Sequence, residues 1–142
     1  MPNSLFALGA LLLFAFPPQQ KPAAPVTAPA TPVLKVIPLE AARMVNPITP
    51  TPESQSHAKS RYDIDCAMCH AANGDGKGDP GIISDMSLTM MDFTNPDTLK
   101  NRTDGEMFYI IKNGQGKMPA EDRAKTDEIW NLVVYLRSFS KK

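Results

Sequence analysis

Cys66-Ala67-Met68-Cys69-His70 holds both cysteines of a 142-residue chain within five positions. Cys-x-x-Cys-His is the attachment sequence for a c-type haem. Each thiol can add across one haem vinyl group, and the adjacent imidazole is then held beneath the iron. Two residues between the cysteines suit one helical turn, so both sulfurs reach the same porphyrin edge. The pentapeptide therefore points to a cofactor, its tether and one axial ligand, with no thiol left over.

Ahead of the motif, Thr51 is placed as an N-cap, Pro52 as the first helical residue and Glu53 against the positive end of the helix dipole. This predicts a helix from about Pro52 to about Ala71, carrying the pentapeptide at its end. A glycine-rich loop, Asn73-Gly74-Asp75-Gly76-Lys77-Gly78-Asp79-Pro80, follows. A short helix is expected near Asn95-Pro96. Thr103 and Glu106 form a capping box for a further helix that stops at Gly114. After a second loop through Met118-Pro119, a last helix is expected from Thr126 to Phe139. There Ile129, Leu132, Val133, Leu136 and Phe139 recur at helical spacing. No strand pattern survives, so the domain reads as all-α.

His70 alone leaves the iron five-coordinate. Electron-transfer c-haems usually close the sixth position with a methionine thioether, which favours the ferrous state. Among eight methionines, Met118 sits in a glycine-rich loop stiffened by Pro119. It lies far enough beyond His70 for the chain to wrap round a porphyrin. Met86, Met90 and Met91 compete from an irregular stretch. Met107 falls inside a helix and reads as packing, and Met68 lies on the wrong side.

From about Pro52 to the end, the chain resembles a bacterial class I cytochrome c. The family sets an aromatic four residues before the motif and a small residue four before that; Tyr62 and Ala58 stand there. Its Leu-x-x-Tyr-Leu pattern in the last helix appears as Leu132-Val133-Val134-Tyr135-Leu136. In the family these positions form the crossing of the first and last helices. The resemblance implies a cytochrome c fold, three to five helices around one covalently bound haem c. It implies thioether tethers at Cys66 and Cys69 and axial iron ligands at His70 and Met118. A backbone carbonyl within Gly78 to Ile83 is expected to accept the imidazole N–H. Phe93 and Trp130 read either as pocket wall or as ordinary core.

The first third of the chain does not read as foldable. Ten of the fourteen prolines fall between Pro17 and Pro52. An uncharged apolar run, Leu5 to Phe16, is shorter than the ~20 residues of a membrane span and matches the apolar part of a secretory signal. No Lys or Arg precedes it and no clean cleavage site follows, so a cleaved signal and a retained short anchor both stay open. The expected organisation is a signal peptide or anchor at 1–16, a proline-rich linker or docking arm at 17–52, and a cytochrome c domain at 53–142. Fully extended, the arm would reach about 110 Å. Within it, Val33 to Val45 is more apolar and reads either as sticky linker or as a segment that docks on another subunit.

Formal charge is zero, and no basic stripe suggests a nucleic-acid partner. The function implied is single-electron transfer between redox proteins or within a membrane redox complex, in the periplasm or on the outer face of the cytoplasmic membrane. This is a carrier rather than an enzyme. The rival is a peroxidase-like haem enzyme with a labile sixth ligand. A thioredoxin-like dithiol lacks the alternating α/β pattern it needs. A zinc site would have to add His57 to Cys66, Cys69 and His70. A disulfide would leave His70 unexplained. The Asn73–Asp79 loop lacks the terminal glutamate of a calcium loop, and its residues read as turn-formers.

Overall fold

Polar caps start the helices where side-chain oxygens are available. Thr51 accepts from the Ser54 N–H and Thr103 from the Glu106 N–H, each closed reciprocally by the third residue of the helix. In the computed structural model, which describes residues 34–140, these caps open α2 and α5 among six helices. The order is α1 (Leu39–Ala42), α2 (Pro52–Asp65), α3 (Ala67–His70), α4 (Pro80–Asp85), α5 (Asp104–Asn113) and α6 (Thr126–Phe139). Among the described residues there is no strand, only an isolated pairing of Gln115 with Met118. The fold is all-α, as expected. The segment 1–16 and the first part of the arm lie outside the described residues.

The core forms where α6 crosses α2. Ile129 and Val133 are fully buried, and Leu132 and Phe139 nearly so. On α2 the partners are Ala58 and Tyr62, both buried. The small Ala58 lets the two backbones approach, while the Tyr62 ring packs 5.4 Å from Tyr135 and 5.2 Å from Phe139. Tilted aromatic pairs at this separation add roughly 0.5–1.5 kcal/mol beyond area burial. The crossing inferred from Ala58, Tyr62 and the Leu132–Leu136 pattern is therefore the centre of the core formed by the described residues. Met107, Phe108 and Ile111 of α5 close it from a third side. Trp130 stacks on Phe108 at 4.2 Å, which places it in the core beneath α5.

Three details differ from the sequence expectation. Cys66 leaves helical geometry (φ −122°, ψ −36°), so the expected single helix is two, α2 and α3. No helix forms at Asn95-Pro96. There the Asn95 side chain accepts from Asp97 N–H at 3.0 Å, a local turn that competes with helix formation. Instead α4 forms at Pro80, capped by the Asp79 carboxylate on Ile82 N–H at 3.0 Å.

The second half of the proline-rich arm lies against this chain's own helices. Ala41 of α1 is buried on α5. A side chain at Gly105 would run into the backbone of Ala41 and Met44. Thr103 Oγ1 donates to Ala42 O at 2.7 Å, and Asn46 Nδ2 to Trp130 O at 3.1 Å.

Candidate functional site

Helix α3 is a single turn, and it gathers three of the four expected site residues. His70 N–H donates to Cys66 O at 2.9 Å and Cys69 N–H to the same oxygen at 3.1 Å. Both thiols are unpaired and half-buried. Burial pushes the Cys66 thiol up to about 12, helped by the carboxylates of Asp65 and Glu121. Among the described residues, no three His, Cys, Asp or Glu side chains assemble as a metal-ion group.

The turn leaves α3 through Ala71, a non-glycine residue at φ 64°. Such a conformation is unfavourable and persists only where neighbours hold it. The Tyr62 hydroxyl holds it here, donating to Ala71 O at 2.8 Å. The glycine-rich loop then folds back on the motif. Gly76 N–H donates to His70 O at 3.1 Å and Asp79 N–H to Met68 O at 2.7 Å. Gly78 passes so close that a Cβ would lie 2.5 Å from Cys69 O and closer still to Met68 O. Asn73 and Asp75 make turns with the backbone of residues two further on, as their reading as turn-formers requires.

His70 stacks on Phe93 with ring centroids 4.9 Å apart and 21° between planes. Phe93 is thus a wall of this site. Nδ1 of His70 is buried without a hydrogen-bond partner, and burial lowers the pKa of the imidazole. The carbonyl expected from Gly78 to Ile83 does not reach it. In that stretch the oxygens of Asp79, Ile82 and Ile83 are taken by the N–H groups of Ile83, Met86 and Leu88. Formation of α4 redirects the very acceptors that an extended loop would have offered.

Met118 lies apart from the α3 turn in sequence but is half-buried against the same core cluster as Cys66 and Ala67. Gly114 (φ 70°) and Gly116 (φ 59°) let the chain reverse. Gln115 and Met118 exchange backbone hydrogen bonds at 3.0 and 2.9 Å. Of the competing methionines, Met107 is sealed in the core, and Met68, Met86 and Met91 are exposed. Met90 is half-buried, with its Cβ 3.3 Å from where a Cβ on Gly76 would lie, on the loop that covers α3.

Sequence reasoning missed an ionic cluster beside Cys66. Arg61 bridges Asp65 at 3.3 Å, Glu128 at 3.3 Å and Glu121 at 3.8 Å, and Asp65 also pairs with Arg123. Only the Arg61–Asp65 spacing on α2 hinted at it; the rest joins residues about sixty positions apart.

The family model described as cytochrome c oxidase, cbb3-type, subunit III matches residues 53–136. No curated protein compared with the chain matches it significantly. A solved chain of the Kuenenia stuttgartiensis reducing HAO-like protein complex is similar, with 25% identity and a TM-score of 0.55. The likeness covers 66% of this chain and 46% of that one, so the chain spans about half the length of that solved structure.

Proposed function

The chain belongs to the family described as cytochrome c oxidase, cbb3-type, subunit III, which carries a c-type cytochrome domain, and on that premise we propose that it is a monohaem electron carrier. It passes single electrons between redox partners outside the cytoplasmic membrane, free, tethered or as a subunit of a membrane redox complex. Cys66 and Cys69 would tether the haem as thioethers, and His70 and Met118 would ligate its iron. Residues 53–142 are the cytochrome domain, 17–52 the linker or arm, and 1–16 a signal or anchor.

The observation that carries this reading is the α3 turn. Two unpaired thiols and an imidazole share one helical turn, beneath a loop that admits no side chain at Gly78. That donor set fits one covalently attached haem, and two cysteines serve one such group. The buried, unpartnered Nδ1 leaves the His70 ring oriented by Phe93 and by its own turn rather than by a carbonyl. When bound, the haem supplies a one-electron couple whose potential a thioether ligand raises. The chain's own part is to keep the ligand set fixed and the surroundings largely apolar, which limits rearrangement on electron transfer. Partners then need only small, transient contacts. The solved relative, from a complex described as reducing, accords with a redox assembly as partner.

The ferric absorption spectrum tests the reading. The weak iron–sulfur charge-transfer band should be present in the wild type and lost in Met118→Ala. A wild-type protein lacking the band, binding cyanide readily and turning over peroxide, would instead be a haem enzyme with an open sixth site. A band that survives Met118→Ala would move the ligand to another methionine, Met90 first.

A further inference from the structure

The loop that carries Met118 is gripped from outside its own helices. The Gln115 side chain binds the arm through both backbone groups of one residue. Its Oε1 accepts from Lys35 N–H at 3.1 Å, and its Nε2 donates to Lys35 O at 3.0 Å. Lys35 Nζ also donates to Asn113 O, the last residue of α5. The backbone of the same Gln115 exchanges two hydrogen bonds with Met118. Gln115 is therefore a single residue that pairs the arm with one set of atoms and Met118 with another. On the far side Lys117 Nζ donates to the carbonyls of Met86 and Ser87.

A glycine-rich turn has little packing of its own to hold it, so its open states lie within reach of thermal motion. Tying it at two points to separately anchored segments reduces those states. The arm is itself anchored well away from the loop, at Ala42, where Thr103 donates, and at Asn46, which donates to Trp130 O. We propose that Gln115 and the arm residues 34–46 form a clasp that positions the Met118 loop and keeps the sixth ligand in place. This rests on the assignment of Met118 as ligand. Gln115 acts through Met118 and is a positioning residue.

The test is an imidazole titration of the ferric, haem-loaded, full-length protein, read by absorption. Imidazole binds only where methionine has left the iron, so its apparent affinity scales with the open fraction of the loop. Gln115→Ala removes two exposed hydrogen bonds and should tighten apparent imidazole binding about tenfold. Gly105→Ala supplies an independent route, because its Cβ displaces the arm at Ala41 and Met44 without touching the Met118 loop. It should shift imidazole affinity in the same direction. Thermal unfolding is measured in parallel, since a purely structural arm would lower the unfolding midpoint and leave imidazole affinity unchanged. Unchanged affinity in both variants, with the charge-transfer band lost in Met118→Ala, overturns the clasp alone. A band retained in Met118→Ala overturns the ligand assignment and the clasp with it.

Discussion

Removing one oxygen atom from the centre of the fold should loosen the functional turn. Tyr62 is 1% exposed, and its hydroxyl donates to Ala71 O at 2.8 Å. Tyr62→Phe keeps the ring contacts with Tyr135 and Phe139 but strands that carbonyl at a residue held at φ 64°. A hydrogen bond lost with its acceptor left half-buried costs about 1–3 kcal/mol. Ala71 is only half-buried, which favours the lower half, about 1.5 kcal/mol. For a unit of this size that is a fall of about 6 °C in Tm. The assay is reversible thermal unfolding of haem-loaded protein, followed by circular dichroism. Tyr135→Phe is the control. Tyr135 is also buried, but no hydrogen bond of its hydroxyl is seen among the described residues, so its loss should cost under about 0.5 kcal/mol. Equal effects of the two substitutions would refute the claim that the Tyr62 hydroxyl holds the turn after His70.

Three further outcomes are expected. Gly78→Ala places a Cβ against the backbone of Met68 and Cys69 and should destabilise the protein by about 1–3 kcal/mol, with a lower yield of covalently bound haem on denaturing gels; normal yield and stability would count against the close loop packing. Ile129→Ala, at a fully buried site in the α2–α6 crossing, should cost about 2–5 kcal/mol in denaturant unfolding. Stability should also fall on the alkaline side. Burial raises the Tyr62 pKa above the ordinary tyrosine value, so the unfolded chain loses that proton near pH 10 while the folded one keeps it. The contribution is therefore complete below about pH 10 and lost as pH rises, by up to about 1.4 kcal/mol per unit. Tyr62→Phe should flatten that slope in unfolding measured between about pH 9 and 11.

Short-range chemistry was legible in the chain. Thr51 and Thr103 cap their helices because a hydroxyl can reach an N–H three residues on, whatever the rest of the molecule does. α6 was legible from end to end, since its apolar residues repeat at the helical period. Asp79-Pro80 carried the same kind of signal for α4, an acidic cap followed by proline, and it went unread. Asn95-Pro96 carried it too and formed only turns. Local pattern cannot rank two such sites, because the choice depends on what each packs against.

The sequence alone carried the chemistry proposed for the site. Cys66, Cys69 and His70 lie within five positions, and the hydrogen bonds of Cys69 and His70 N–H to Cys66 O join them locally, so their juxtaposition needs no contact from elsewhere in the chain. Tertiary structure decided what surrounds them. Phe93 stacks on His70 while Trp130 stacks on Phe108, a difference invisible in two aromatic residues that are both buried. α4 withdrew the carbonyls that sequence reasoning offered to the imidazole. The arm, read as a linker or a docking segment, turned back to bind Gln115 through Lys35, eighty residues away. Such contacts depend on the relative placement of elements already formed, and isolated polar residues carry no periodic trace of the partner they will meet.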